Sequence, residues 1–331
     1  MTTYLLIDLA NTYFRARHAA SRLSSIEERV AFSIHVTLSS VNKCWRDQKA
    51  DHVVFCLEGR SWRKDYYKPY KANRAVSRAA QTEVEQQEDK LFWEGFDNLK
   101  TFLSERTNCT TLQHSELEAD DLIAGWIQSH PDSQHIIISS DTDFYQLLAS
   151  NVKQYNGIAD ELHTLNGIFN NKGKLVIDKK TKEPKVIPDP KWILFEKCMR
   201  GDPTDNIFSA YPGVRTKGSK NKVGLEEAFA DRDNKGFSWN NLMLQKWVDH
   251  NNIEHRVKDD FERNCVLVDL SRQPDDIKVK IAECIIANSV AKTRPMVGAQ
   301  FLKFCGKHDL QKLSEMSANF GEIFSSQYSG Q

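Results

Sequence analysis

No apolar run in this 331-residue chain approaches the roughly 18 residues that a membrane-spanning helix needs. The first residues carry no basic stretch ahead of an apolar core, and an apolar segment starts at Tyr4, so no secretory signal is expected. Seven cysteines, an odd count without any Cys-x-x-Cys, exclude a disulfide framework and a thiolate zinc site. Cys56 and Cys198 fall inside apolar segments and read as small core residues. Ten histidines are scattered without a His-x-x-x-His pair. Neither sign of charge dominates, because Lys+Arg 45 balances Asp+Glu 45. A basic chain that binds polyanions through net charge alone is therefore excluded. A reduced, cytoplasmic setting is expected, with no membrane association.

What the chain does have is nine carboxylates in five short pieces: Asp8, Glu58, Glu118-Ala-Asp120-Asp121, Asp141-Thr-Asp143 and Gly201-Asp202-Pro-Thr-Asp205. Three pieces share one form, an apolar run that stops on an acid: Tyr4-Leu-Leu-Ile-Asp8, Val53-Val-Phe-Cys-Leu-Glu58 and Ile136-Ile-Ile-Ser-Ser-Asp141. A short, continuous, β-branched run reads as a buried parallel strand. In an open α/β sheet, ligands bind beyond the carboxyl ends of the strands. Three acids from distant parts of the sequence are therefore expected at one crevice.

The pattern around these runs alternates strand and helix. Glu27–Asp47 carries Val30, Ile34, Leu38, Val41 and Trp45 at helical spacing, and Glu83–Glu105 carries Leu91, Phe92, Phe96, Leu99 and Leu103. Thr110–Gln113 is a short strand, a helix opens near Glu118, another short helix opens at Phe144, and Val152–Tyr155 is a strand. The alternation implies βαβ units and a mainly parallel central sheet flanked by helices. Asn166-Gly167 and Asn171-Lys-Gly173 mark a hairpin excursion across 161–187. Asp189-Pro190 starts a helix that runs to about Arg200. Beyond Gly201 no strand series is visible, and the chain is mostly helical. The expected division is an α/β domain over 1–188 and a helical domain over 189–331. The tail after Ser325 is expected to fray.

Carboxylates without histidine or cysteine suit a hard divalent cation such as Mg²⁺ or Mn²⁺ rather than zinc. Acids crowded into one crevice raise one another's pKa, and bound cations supply a reason to hold them together. A single strand-ending Asp often does no more than cap the next helix. The triplet Glu118–Asp121 also suits a helix N-terminus with no metal at all. Five pieces, three of them at strand ends, point instead to a two-metal centre for phosphoryl chemistry.

Residues 60–78 are of another kind. Arg60, Arg63, Lys64, Lys68, Lys71, Arg74 and Arg78 alternate with Trp62, Tyr66, Tyr67 and Tyr70, against one acid, Asp65. Basic groups contact phosphates and aromatic faces stack on unpaired bases. A solvated basic loop is the plain alternative, but the position directly after Glu58 favours a polyanion over the acidic crevice. A second patch, Arg215, Lys217, Lys220 and Lys222, contains no acid and precedes a helix from Gly224. It suits duplex phosphates without base reading, and a mobile Lys/Gly loop is an equal alternative.

Taken in order, these motifs resemble the flap endonuclease / 5′→3′ exonuclease family, with the phage-type ribonuclease H enzymes that remove primers as the nearest likeness. The resemblance rests on Leu6-Ile-Asp8-Leu-Ala-Asn11 with Arg15, Glu118–Asp121, Ser140–Phe144, Gly201–Asn206 and Tyr70-Lys71-Ala-Asn-Arg74 with Arg63 upstream. It implies a PIN-like nuclease fold with a basic arch at about 60–95 and a helix-hairpin-helix-like duplex grip at about 200–230. It also implies two Mg²⁺ ions, with Mn²⁺ as a substitute. Asp8, Glu58, Asp120 and Asp141 would organise one metal. Glu118, Asp143, Asp202 and Asp205 would serve the other, and Asp121 either. Lys71 and Arg74 would stabilise charge on the phosphate. Arg15, Arg63, Lys64, Tyr70, Lys71, Arg74, Arg215, Lys217, Lys220 and Lys222 would contact nucleic acid. The family usually has Asp where this chain has Glu58, and its duplex-binding turn is more compact than Pro212–Gly224. The implied activity is Mg²⁺-dependent 5′ cleavage of RNA–DNA hybrid, duplex or flap DNA by a monomer, as in primer removal during phage replication. The implied partner is a phage single-stranded-DNA-binding protein, and the setting is the bacterial host cytoplasm. Two other readings remain: a haloacid-dehalogenase-like phosphatase built on Asp141-Thr-Asp143, and a DNA-binding scaffold without turnover.

Overall fold

The computed structural model describes residues 1–19, 23, 25–220 and 222–330. They form two compact units. The first comprises Met1–Ser61, Gln81–Ile187 and Asp276–Gln331, and the second Trp62–Ala80 and Pro188–Asp275. This differs from two consecutive domains. The C-terminal 56 residues return to the first unit, and the segment expected as an arch divides between the two.

The first unit is built on a seven-stranded sheet in the order β3-β2-β1-β4-β5-β6-β7. The strands are β1 (Thr3–Asp8), β2 (His52–Cys56), β3 (Thr110–Leu112), β4 (Gln134–Ile138), β5 (Val152–Asn156), β6 (Glu161–Thr164) and β7 (Gly167–Asn170). Strands β1 to β5 pair in parallel and β6 and β7 antiparallel. The expected hairpin is therefore an antiparallel extension of the central sheet, not an excursion from it. Leu5, Ile7, Val53, Phe55, Ile136 and Ile138 are fully or almost fully buried. This is why the central strands read as unbroken apolar runs: helices cover both faces and leave no solvent side.

The two long helices have the expected faces. Helix Ile26–Gln48 buries Ile34, Leu38 and Val41, and helix Glu83–Arg106 buries Phe92, Phe96, Leu99 and Leu103. Both start on capping boxes, Ser25 with Glu28 and Thr82 with Glu85, which satisfy orphan backbone donors in each direction. Helix Leu9–Ala19 was not expected from the sequence. The C-terminal return is held by aromatic packing. Phe102 stacks on Phe304 at 4.5 Å, and Phe301 lies 4.7 Å from Phe320. Helix Asp275–Asn288 lies so close to helix Ala119–Ser129 that a Cβ on Gly125 would meet Ile281 Cγ2 at 2.3 Å. The tail does not fray as expected. Tyr328 donates to or accepts from His130 Nε2 at 3.0 Å and stacks on Tyr4. Gln331 lies outside the described residues.

The second unit is helical around a separate core that includes Phe195, Cys198, Met199, Leu225, Leu242, Val257, Phe261 and Cys265. Its helices are Pro190–Arg200, Leu225–Ala230, Phe237–Met243 and Val257–Val268, with short helices Arg63–Tyr66 and Ala72–Ala79. It also contains a small antiparallel hairpin, Lys246–Val248 with Glu254–Arg256. No strand was expected in this region.

Candidate active site

Strand order sets the site. In the sheet, β2 lies on one side of β1 and β4 on the other, so the order of the strands reverses at β1. Such a switch point opens a crevice beyond the carboxyl ends of the strands. Asp8 is the last residue of β1 and pairs in register with Cys56, two residues before Glu58. Ile7 pairs with Ile138, three residues before Asp141. The three strand-ending acids thus leave one edge of the sheet.

Short polar bonds fix each of them. Ser139 Oγ donates to Asp8 Oδ2 at 2.9 Å across the switch point, and the Asn11 amide donates to Asp8 Oδ1 at 3.2 Å. Ser139 Oγ also accepts the Asp141 amide at 3.1 Å, so one buried hydroxyl orients two acids. Gln154 Nε2, fully buried on β5, donates to the carbonyls of Ser139 at 2.9 Å and Asp141 at 2.7 Å. Asp143 closes a tight turn through its amide to Asp141 Oδ1 at 3.0 Å. Asn11 Oδ1 accepts the Ser140 amide and hydroxyl.

The acids at the start of helix Ala119–Ser129 join them. Glu58 accepts the Ala119 amide at 3.4 Å, and Ser61 Oγ donates to Glu118 Oε2 at 2.6 Å. Asp121 accepts the Glu118 amide at 3.3 Å, an N-terminal cap for the helix. The segment after β2 is laid against 115–117 by the Gly59 amide to the Leu117 carbonyl and the Arg60 amide to the Ser115 carbonyl, both 2.8 Å. Gly59 allows that approach. A Cβ there would stand 2.0 Å from the His114 carbonyl oxygen. The roles of Gly59, Ser61, Ser139 and Gln154 were not expected from the sequence. For Gly59 the available signal was a glycine directly after a strand-ending acid.

Asp120 carries the electrostatic signature. Burial first, then the charges of Asp8, Glu58, Asp141 and Glu118, push its carboxyl well above the usual carboxylate range. Five acids from four separate segments therefore act on one another. The donor set is all carboxylate, which fits hard divalent cations. Among the described residues no three His, Cys, Asp or Glu side chains close round a single point as a metal cage would. Mg²⁺ does not ask for that, since it keeps several waters and takes one or two carboxylates.

Asp202 and Asp205 lie in the second unit in a different setting. Lys197 Nζ stands 2.8 Å from Asp202 Oδ2, and the Thr204 amide donates to Oδ1 at 2.8 Å. Burial would raise the Asp202 carboxyl, but Lys197 and the backbone amides hold it below its usual range. Asp205 meets Arg74 at 2.8 Å, Lys71 at 3.6 Å and the Tyr70 hydroxyl at 3.2 Å. The Lys71 amide donates to the Asp205 carbonyl, and Asn206 Nδ2 to the Pro69 carbonyl. The basic segment is thus clamped onto the 202–206 turn. Two residues expected on nucleic acid are buried instead. Arg63 is 2% exposed, donates to the Leu267 carbonyl at 2.8 Å and lies over the Trp62 ring. Tyr70 is 4% exposed. Lys64 is half-buried, while Arg15, Arg215, Lys217, Lys220 and Lys222 are exposed. Lys217 lies 3.9 Å from Glu226, and the Gly218 and Gly224 amides converge on Glu227. Asn221, within this patch, lies outside the described residues.

Residues 3–180 match the model of the 5′-3′ exonuclease N-terminal resolvase-like domain. The chain belongs to the 5′-3′ exonuclease family. It is 24% identical over 286 residues to a 5′-3′ exonuclease of Buchnera aphidicola, covering 84% of this chain and 88% of that one. It is 25% identical over 284 residues to ribonuclease H of Enterobacteria phage T4, covering 77% and 78%. It also matches DNA polymerase I chains, including that of Rhizobium leguminosarum at 26% identity over 242 residues, 69% of this chain. This chain spans only 21–29% of the length of three such polymerases. Among solved structures, T5 5′-exonuclease with zinc bound has a TM-score of 0.59 at 18% identity, covering 86% of this chain and 99% of that one. That likeness concerns the fold: a mainly parallel sheet with flanking helices in a resolvase-like PIN domain.

Proposed function

We propose that this chain is a divalent-metal-dependent 5′ nuclease that hydrolyses phosphodiester bonds near the 5′ end of duplex, flap or RNA–DNA hybrid substrates. The observation that carries this reading is the convergence of Asp8, Glu58, Glu118, Asp120 and Asp141, with Asp120 pushed up by burial first and then by its acidic neighbours. Family membership supports it and disfavours the phosphatase alternative. A structure of T5 flap endonuclease with DNA and metal ions, TM-score 0.54 at 18% identity, supports a nucleic-acid substrate on the same fold.

Asp8, Glu58, Asp120 and Asp141 would serve one Mg²⁺, one or two of them directly and the others through its waters, and Glu118 and Asp143 would serve a second, with Asp121 open to either. The cations supply activation of water and neutralisation of charge at phosphorus. Ser139 and the Asn11 amide hold the Asp8 carboxylate, Ser61 that of Glu118 and the Asp143 amide that of Asp141, while Gln154 fixes the 139–141 backbone, so that little reorganisation accompanies the reaction. Lys71 and Arg74 receive substrate phosphate by exchanging the Asp205 carboxylate for it, one anion for another. The exposed cations Arg215, Lys217, Lys220 and Lys222 hold duplex phosphates. Primer removal in a phage-infected bacterial cytoplasm, monomeric action and a single-stranded-DNA-binding protein as partner complete the reading. Among the described residues no helix is long and apolar enough to cross a membrane.

The experiment is cleavage of 5′-labelled flap, nicked, hybrid and single-stranded substrates in Mg²⁺ by the wild type and by Asp141→Asn. Wild-type products released from the 5′ end and loss of them in the variant support the proposal. Near wild-type cleavage by Asp141→Asn sinks it.

A further inference from the structure

The second unit contains a cavity of about 530 Å³ that none of the proposed chemistry uses. Two helices build much of its wall from the same spacing. Helix Pro190–Arg200 presents Lys191, Leu194, Phe195 and Cys198, and helix Val257–Val268 presents Lys258, Phe261, Glu262 and Cys265. Residues at i, i+3, i+4 and i+7 share one helix face. The two helices run in the same direction. Phe195 lies 5.7 Å from Phe261, and three residues further along each helix Asn264 Nδ2 donates to the Cys198 carbonyl at 2.8 Å. The first turns of both, which carry Lys191 and Lys258, therefore lie at one end of the cavity, where the helix dipoles favour an anion.

The floor is aromatic. The Phe195 ring lies 5.4 Å from Phe229, 6.0 Å from Trp239 and 5.7 Å from Phe261. Phe195 and Phe261 are buried, whereas Phe229 and Trp239 are half-buried. Arg232 covers the Phe229 ring at 3.8 Å from its centroid, which leaves Trp239 as the ring open to a ligand.

The rim is basic. Five cations line the cavity, against the two acids Glu262 and Asp269. Both acids are engaged. Glu262 lies 3.8 Å from Lys258, and Asp269 accepts the Ser271 amide at 2.9 Å and its hydroxyl at 2.6 Å. Arg232 lies 3.6 Å from Asp233. Among the described residues the other three cations, Lys191, Lys235 and Arg272, are exposed and have no carboxylate within ion-pair distance.

We propose that this cavity binds a nucleoside monophosphate unit, with the base on Trp239 and the phosphate on the unpaired rim cations. The unit is a free mononucleotide or one unpaired nucleotide of a strand, which present the same base and phosphate. The volume lies within the range of about 300–1,000 Å³ usual for small-ligand sites. An aromatic face takes any base, because every base has a π-face, and lysine and arginine take the phosphate. An acidic peptide would answer the charge equally well, but its backbone would need partners. The lining holds one side-chain amide, Asn240, and no strand edge. None of the lining residues is among the carboxylates proposed for metal, so binding requires no divalent cation.

The test is calorimetric titration of the full chain in EDTA, which keeps cations from the acidic crevice and makes the readout independent of cleavage. The probes are deoxyadenosine monophosphate, deoxyadenosine, inorganic phosphate, a deoxyadenosine tetranucleotide and a blocked Asp-Asp-Phe peptide. The monophosphate is expected to bind at one site per chain. Deoxyadenosine and phosphate should each bind at least about tenfold more weakly, because each lacks one of the two contacts. Lys235→Glu and Arg272→Glu change exposed side chains, so the fold should persist, and each should weaken the monophosphate about tenfold. Asp141→Asn should bind it as the wild type does. Tighter binding of the tetranucleotide would identify a strand as the source, and equal binding a free nucleotide; either supports the proposal. Four results would overturn it: no binding of the monophosphate, phosphate alone binding as tightly, the peptide binding more tightly, or loss of binding in Asp141→Asn rather than in the two rim variants.

Discussion

In the first unit the charges that act most on Asp120 are other carboxylates, whereas in the second Asp205 is met by Arg74 and Lys71. The same side chain is in one place crowded by its own sign and in the other neutralised. Like charges gathered in a partly buried crevice cost free energy in the protein alone. Such an arrangement makes sense when a cation that the chain does not encode completes it. A neutralised acid is a fastener. Asp205 ties the basic segment 69–74 to the 202–206 turn, and Asp202 with Lys197 repeats the device one turn away. Carboxylates count as metal ligands by their surroundings more than by their spacing in sequence.

The sharpest way to break this contrast is Asp120→Asn. Cleavage should fall by at least about 100-fold, since losing a ligand exceeds the loss from its supporting shell. The metal-free protein should nonetheless melt higher than wild type, because one repelling charge is gone. A group whose folded pKa is raised contributes stability below its unfolded value, and loses that contribution as pH rises through the folded one. Metal-free wild type should therefore gain stability on acidification from neutral pH toward about 3.9, the unfolded value for Asp. Mg²⁺ should flatten the profile. Calorimetric melting with and without Mg²⁺ measures both, and a lower melting temperature for the metal-free variant at neutral pH would contradict the account.

Gly59→Ala sets backbone against the same crevice without touching a charge. The new Cβ would lie 2.0 Å from the His114 carbonyl and 2.8 Å from that of Leu117, neither of which can move alone. A loss on the order of 3 kcal/mol is expected in urea unfolding, as for other forced backbone rearrangements. Mg²⁺ affinity should weaken with it, because Glu58 precedes the displaced residue.

Much of the first unit was legible for a physical reason. Strands buried on both faces show as unbroken runs at Leu5–Ile7, Val53–Phe55 and Ile136–Ile138, and an acid ending such a run is placed by the sheet itself. Helix Leu9–Ala19 was missed because its buried residues, Leu9, Thr12, Tyr13 and Ala16, make a weak apolar stripe. The return of 276–331 rests on long-range aromatic contacts such as Phe102 with Phe304, which no local pattern records. Arg63 misled because an arginine in a basic run looks solvated, while its guanidinium is buried against the Leu267 carbonyl. Tyr328 misled similarly: a Ser/Gly/Gln tail reads as frayed unless the histidine it meets is known.

Asp205→Asn should act in the opposite sense to Asp120→Asn. It removes the anion from between Arg74, Lys71 and Tyr70, so stability should fall. The loss should be about 1 kcal/mol, because Arg74 is half exposed and water screens the pair. Urea unfolding measures it, and limited proteolysis within 66–80 should quicken as the clamp loosens. A gain in stability would show Asp205 to be under acidic strain like Asp120, and the contrast between the units would fail.

The smallest effect is expected among the exposed cations of the 215–222 patch. Lys220→Ala removes an exposed charge, so stability should change by no more than about 0.5 kcal/mol. Duplex binding should weaken evenly across sequences, because phosphate contacts position without reading bases. Its dependence on salt should change as well: each phosphate contact contributes about 0.9 to the slope of log affinity against log salt. The slope for Lys220→Ala should fall by about that amount, measured by anisotropy of a labelled duplex in Ca²⁺ to prevent cleavage. An unchanged slope would remove Lys220 from the duplex contact and leave the patch as a solvated loop. A change in stability instead would make it a fastener of the Asp205 kind.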